Sequence, residues 1–284
     1  MNPKIYLAPM SGITDLPFRL ISRGLGAKHC FFEMIDAKAT VYNNQASRRS
    51  LKTLKKDSPI AAQLLGGDPS VMLDAAEILT TLVDISFLDI NSACPAKKII
   101  KKGAGAALLN DTATLGKIVE KLSSRMKIPI TVKLRTGFNK RDIKECVQTA
   151  KICQTNGAST VFIHGRTSSQ GYSGDIDYES IKAVKAALKI PVFGSGNILN
   201  PFMAKKMLDE TGCDGILVAR GALGNPWIFK DIENYLKKGK IIKRPTLAAK
   251  KKVLKKHLAY IEKYNDMTDS NKTGFMGRVT KWYL

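Results

Sequence analysis

Phe87-Leu88-Asp89-Ile90-Asn91-Ser92-Ala93-Cys94-Pro95-Ala96-Lys97-Lys98 joins a short apolar run to a cysteine, a proline and two lysines. Ile85 to Ile90 has the length and character of a buried parallel strand, and the loop behind it delivers a thiol where a βα-barrel places its active site. A thiol there, with Pro behind it and lysines after it, suits a proton donor working on a bound polyanion. Working outward, eight such runs are found: Ile5–Ala8, Cys30–Met34, Ile60–Leu65, Phe87–Asn91, Ile130–Lys133, Thr160–His164, Pro191–Gly194 and Gly215–Ala219. They alternate with helical patterns as far as Tyr235, which predicts a (β/α)8 TIM barrel of the α/β class over an open sheet.

Helix start signals support the alternation. Asp68-Pro69 and Asn200-Pro201 each offer an N-cap followed by Pro in the first turn. Asp111 or Thr112 can cap Leu115 to Met126, where Leu115, Ile118, Val119 and Leu122 recur at helical spacing. After Tyr235 the pattern changes. Lys237 to Pro245 reads as a basic linker, Thr246 to Tyr264 as an amphipathic helix, and Gly274 to Leu284 as a second helical piece. The expected organisation is a barrel over 1–236, a linker over 237–245 and a small C-terminal helical domain over 246–284. That domain stops on Trp282-Tyr283-Leu284 in mid-pattern, so it reads as shortened.

At 284 residues and 44% hydrophobic, the chain can bury one large core. No apolar run approaches the roughly 18 residues of a membrane span, so no membrane partner is expected. Ile5 to Ala8 reads as a strand where a signal peptide would stand. Cys30, Cys94, Cys146, Cys153 and Cys213 are scattered without CxxC pairs or zinc spacing. No metal site is expected, and a reduced, cytoplasmic compartment is the simple reading. Forty-six Lys and Arg against 24 Asp and Glu give a net charge of +22, a field that attracts polyanions, nucleic acid first. Lysine excess also arises by compositional drift, so placement carries more weight than the total. No acidic residue falls between Glu233 and Glu262, while Lys237, Lys238, Lys240, Lys243, Arg244, Lys250, Lys251, Lys252, Lys255 and Lys256 all do.

Polar residues stand at the predicted strand ends. Gln63 lies in strand three, Lys133 closes strand five and His164 closes strand six. A lone His at such a point is commonly structural, but a Lys inside an apolar run needs a partner. Gly194-Ser195-Gly196-Asn197 follows strand seven and Ala219-Arg220-Gly221-Ala222 follows strand eight, where barrels often hold phosphate. Small residues there let backbone N–H groups approach an anion, and Arg220 can bond it directly. Ala8-Pro9-Met10-Ser11-Gly12 leaves strand one at the same rim, with Met as a soft surface for a planar ring. A planar ring with a phosphate tail, a Lys and a His at its edge and a thiol opposite together suggest flavin mononucleotide, FMN.

In this order the motifs resemble the tRNA-dihydrouridine synthases, most closely the bacterial B-type branch, from Ile5 to Leu284. They are Ala8 to Asp15, Asn91 to Lys98, Lys101 to Leu108, Lys133 to Gly137, His164 to Thr167 and Arg220 to Trp227. The resemblance implies a monomeric, cytoplasmic, FMN-dependent enzyme that reduces selected uridines of tRNA to 5,6-dihydrouridine with NADPH as reductant. It implies flavin contacts from Pro9, Met10, Ser11, Gln63, Lys133 and His164, and phosphate contacts from Ser195, Gly196, Asn197, Ala219 and Arg220. Cys94 matches the family's proton donor, and Asn91 and Arg166 fall where substrate or supporting groups stand. Lys97 and Lys98, with Lys101 and Lys102, would touch tRNA phosphates. The chain departs from the family pattern in four places. Ala93 replaces the Gly that commonly precedes the cysteine, which would restrict the loop backbone. Ser195 and Asn197 replace the usual Asn and Asp around Gly196 and keep hydrogen-bonding capacity. Arg278-Val279 stands where a basic-His pair is common, and relatives continue beyond the segment matching Lys281 to Leu284.

Two other readings compete. A flavin barrel acting on a free pyrimidine, like the dihydroorotate or dihydropyrimidine dehydrogenases, also places an Asn and a Cys or Ser before Pro on this loop, but needs no basic C-terminal helices. An RNA-binding relative without chemistry would have no need for Cys94, Lys133 and His164.

Overall fold

The computed structural model describes residues 3–43, 49–240 and 244–284. Eight parallel strands run β1 Lys4–Leu7, β2 His29–Asp36, β3 Ile60–Leu65, β4 Leu88–Asn91, β5 Ile130–Arg135, β6 Thr160–His164, β7 Val192–Ser195 and β8 Gly215–Val218. Each pairs with the next, and β8 returns to β1 through Ile5↔Ile216 and Leu7↔Val218, closing the (β/α)8 barrel. Six strands differ by one or two residues at an end from the expected runs, and β3 and β6 match them. A bulge between Phe31 and Met34 lengthens β2 against β3.

Alternation along the strands sorts side chains into two shells. One parity points outward and meets the helices in a continuous apolar core that includes Leu7, Leu64, Leu88, Ile90, Val132, Ile163 and Ile216. The other parity points inward. Tyr6, Phe31, Phe162, Phe193 and Leu217 pack there with Ala8 and Ala61, and Phe87 lies against them. Tyr6 meets Phe162 and Phe193 edge-on at 5.5 and 5.3 Å, so this layer plugs the barrel rather than leaving a pore. Two residues further along the same parity the side chains turn polar: Gln63, Asp89, Asn91, Lys133, His164 and Ser195.

The start signals act as expected. Asp68 accepts from the N–H groups of Ser70 and Val71 at the head of helix Pro69–Leu82, and Asn200 from Met203 at the head of Pro201–Thr211. Asp111, rather than Thr112, caps Thr112–Arg125. Helix Ile228–Lys238 runs past Leu236 and ends at Gly239 in the left-handed conformation, so the first part of the expected linker is helical. Lys243 of that linker lies outside the described residues. Thr246 caps helix Leu247–Tyr264, and the last helix spans Asp269–Tyr283. It starts five residues before Gly274, in a stretch whose polar composition reads as loop, with Thr268 at the cap position but making no side-chain capping bond. These two helices share a core of Leu254, Ile261, Phe275, Val279 and Tyr283. They lie on helix Leu16–Gly24, with Phe18 edge-on to Trp282 at 5.8 Å. Asn265 donates to Asp15 at 3.1 Å. Among the described residues no helix is long and apolar enough to cross a membrane.

Candidate active site

Above the aromatic plug, at the carboxyl ends of the strands, lies a cavity of about 430 Å3. Its size falls within the roughly 300–1,000 Å3 typical of small-molecule sites. The sequence places its lining there by parity. Gln63, Asn91, Lys133, His164 and Ser195 are inward-facing strand residues, while Pro9, Met10 and Ser11 follow β1 and Gly196 and Asn197 follow β7. Ala219 and Arg220 follow β8, and Cys94 enters from the loop after β4. Thirteen of the sixteen candidate residues therefore share one cavity.

Arg166, Lys97 and Lys98 do not line it. Arg166 is buried beneath its rim, where Nε donates to the carbonyls of Ser173 and Gly174 at 2.8 and 3.0 Å. Its role in the fold is to hold that loop. Lys97 and Lys98 are exposed on the short helix Lys97–Ile100 that follows Cys94.

The electrostatics follow from burial. Desolvation, then the nearby Arg135 guanidinium, lowers the Lys133 ammonium to about 8, while Asp89 and Cys94 oppose the shift. No hydrogen bond or ion pair engages that ammonium among the described residues. Burial, reinforced by Lys133 and three arginines, pushes His164 down to about 2 and keeps its imidazole neutral. Its Nδ1 lies 3.3 Å from Ser195 Oγ, and its buried Nε2 has no partner. At the phosphate-type turn, Gly196 takes φ 126° and Asn197 φ 49°, both left-handed. Asn is among the residues that tolerate this region, and its Oδ1 accepts from Arg220 at 3.3 Å. The φ of Gly196 is the conformation that calls for glycine, whereas a Cβ there would meet only the movable end of the Ile176 side chain.

Cys94 is half-buried, and its loop is held from both sides. Asn91 Oδ1 accepts from the N–H groups of Ala93 and Cys94 at 3.0 and 2.9 Å. Arg135 donates to the Ala93 carbonyl at 2.6 Å and to the carbonyls of Thr167 and Gly171 at 2.8 Å. Positive φ outside glycine occurs at Asn43 and Asn197 among the described residues, so Ala93 sits in an ordinary conformation. Replacing the usual glycine by Ala93 thus strains nothing.

Met34, Arg135 and Tyr172 also line the cavity and are not among the candidates read from the sequence. Tyr172 lies between two guanidinium groups, 5.8 Å from Arg135 and 5.1 Å from Arg220. Arg135 carried a signal, because it shares inward parity with Lys133. Tyr172 carried none, since a loop residue's direction is set by contacts such as those from Arg135 and Arg166.

Comparison with known proteins identifies the family and the fold. The family model described as dihydrouridine synthase matches residues 6–284. A tRNA-dihydrouridine synthase B of Pseudomonas aeruginosa is 39% identical over 256 residues, covering 90% of this chain and 76% of that protein. The protein of the same name from Pasteurella multocida is 38% identical over 284 residues, covering 100% of this chain and 84% of its own length. A solved structure of a morphinone reductase variant in complex with tetrahydroNAD shares the fold, with a TM-score of 0.61 at 10% identity over 87% of this chain and 90% of that one. With the family model and both relatives spanning nearly the whole barrel and the helices behind it, the chain belongs to the dihydrouridine synthase family.

Proposed function

We propose that the chain reduces the C5–C6 double bond of selected uridines in tRNA to 5,6-dihydrouridine, in the cytoplasm and as a monomer. The substrate reading follows the relatives, which are named tRNA-dihydrouridine synthase B. FMN held in the cavity would supply the hydride when bound, with NADPH as the reductant that renews it. The observation that carries the reading is the convergence of a thiol, an unpartnered ammonium and an unpartnered imidazole nitrogen on one cavity with an anion cradle at its side.

The residues present fit such a group. The Lys133 ammonium faces the cavity without a partner and His164 Nε2 is a buried polar atom without one, and the polar edge of a flavin would satisfy both. Gln63 and the Pro9-Met10-Ser11 turn complete the wall, and Ser195, Gly196, Asn197, Ala219 and Arg220 form the phosphate end. In the reaction, Cys94 gives its proton to C5 of the pyrimidine as the general acid. The thiolate left behind faces Lys133 and Arg135, whose charges stabilise it. Asn91 fixes the loop from which Cys94 acts, and Arg166 supports the rim through Ser173 and Gly174.

A base stacked in tRNA cannot reach the cavity floor, so the uridine is unstacked at a cost of about a few kcal/mol. Phosphate contacts from Lys97, Lys98, Lys101 and Lys102, all exposed, and from the helical unit over 246–284 offset that cost. The test is Cys94→Ala. The purified variant keeps its yellow flavin, and mass spectrometry of tRNA shows greatly reduced gain of two hydrogens per target uridine. Full activity in this variant removes the donor assignment, and turnover of free uracil or orotate without RNA overturns the tRNA reading.

A further inference from the structure

Below the cavity, side chains of β3, β4 and β5 form a chain of hydrogen bonds that ends on the backbone of the cysteine loop. Thr131 donates to Asp89 Oδ1 at 2.5 Å, and Gln63 donates through Nε2 to Asp89 Oδ2 at 2.7 Å. Asn91 donates through Nδ2 to Gln63 Oε1 at 2.7 Å and to Met34 Sδ at 2.9 Å. Asn91 Oδ1 then takes the N–H groups of Ala93 and Cys94. Thr131, Asp89, Gln63 and Asn91 are all buried. Asp89 and Thr131 are not among the residues that line the cavity.

We propose that Asp89, with Thr131, is a positioning residue that sets the loop carrying Cys94 through the amides of Gln63 and Asn91. The polarity of the chain dictates this. An ionised carboxylate only accepts, so both Asp89 oxygens call for donors. That turns Gln63 Nε2 down and its Oε1 up, toward Asn91 Nδ2. Asn91 Oδ1 is thereby left facing the two loop N–H groups. Each amide has a donor end and an acceptor end, and on its own either could rotate by half a turn. Asp89 removes that freedom at the bottom of the chain, and every bond above inherits the choice. Were Gln63 reversed, its Nε2 would meet Asn91 Nδ2, donor against donor. Asn91 would have to turn as well, presenting Nδ2 to two N–H groups and releasing the loop.

The inference rests on Cys94 being the proton donor, and its test separates the two claims. Iodoacetamide labelling of Cys94 in the flavin-free protein, read by mass spectrometry, reports the loop without any turnover; the other four cysteines are buried. In Asp89→Asn one acceptor oxygen becomes a donor, and labelling of Cys94 rises about tenfold, the scale of one buried hydrogen bond. Thr131→Val moves it in the same direction, and Thr131→Ser, which keeps the hydroxyl, restores the wild-type rate. With flavin and tRNA present, kcat falls about 100-fold in Asp89→Asn and KM for tRNA is unchanged, as expected of a misplaced acid. Labelling no faster than wild type in both Asp89→Asn and Thr131→Val overturns the proposal. If Asp89→Asn does not fold, the Thr131 pair decides alone. Faster labelling with unaltered kcat upholds the positioning and overturns Cys94 as donor.

Discussion

Lys133 shows how a single residue gives up stability at a site. Its ammonium is buried without an ion pair, and its pKa is lowered to about 8, chiefly by desolvation. Unfolded, the same side chain returns to the ordinary value of 10.5, so between about 8 and 10.5 the unfolded chain binds more protons. The penalty is full below pH 8 and fades as pH rises through that window. Relative to Lys133→Met, the flavin-free wild-type protein should therefore gain thermal stability between pH 7.5 and pH 9.5, as read by paired melting curves. An unchanged difference between the two pH values would place a counter-charge beside Lys133. Methionine at this position is also expected to be the more stable protein at pH 7.5, because a buried uncompensated charge is replaced by an apolar chain of similar length. At this scale parity made Lys133 legible in the sequence, as a charged residue among Ile130, Val132 and Leu134. Its lack of a partner was not, because that depends on what six other strands bring to the same space.

Among the elements, helix Leu16–Gly24 is tied to the loop before β3 by one carboxylate. Asp57 accepts from Arg19 Nε at 2.9 Å and from Arg23 Nε at 2.7 Å, with Arg19 and Asp57 fully buried. Arg19 also donates to the carbonyls of Thr14 and Lys52 at 2.6 Å, and Arg23 to that of Pro59 at 2.6 Å. Removing Asp57 leaves two guanidinium groups at an apolar interface without their counter-charge. Asp57→Ala is expected to cost about 3–5 kcal/mol in denaturant unfolding, the range for breaking a buried pair. The element matters beyond its own stability, because the C-terminal helices lie on it. A loss under about 1 kcal/mol would make the cluster a solvated surface pair instead. Arg19 and Asp57 are 38 residues apart, and nothing local in the sequence links them.

For the molecule as a whole, the helical unit is fixed to the barrel at a glycine. Gly224, in the run after β8, takes φ 63°, and a Cβ there would collide with the Trp282 carbonyl. Gly224→Ala combines left-handed strain with a backbone clash, so it should destabilise by more than about 1 kcal/mol. Limited proteolysis should cut between Tyr235 and Tyr264 faster in this variant. Equal cleavage rates would mean the last helix is held elsewhere. The charge of +22 acts at the same scale. Tyr260 carries Lys56 from the barrel and Lys256 from its own helix, each 5.5 Å from the ring, so barrel and helical unit present one cationic face. Binding of tRNA should weaken at least about tenfold between 50 and 200 mM salt through loss of counterion release. Binding insensitive to salt would argue against phosphate contacts from this face.

The sequence by itself determined the barrel, because eight short apolar runs alternate with helical patterns, and eight such units in a chain of this length suit a closed cylinder. It also determined most of the cavity wall, since Gln63, Asn91, Lys133, His164 and Ser195 share the inward parity of their strands. Tertiary structure alone decided which charges find partners, where Arg166 points, and how Tyr172 comes to lie between Arg135 and Arg220. The reason is physical: alternation is a property of each strand's own backbone, whereas pairing and loop direction depend on groups that meet only when the cylinder has closed.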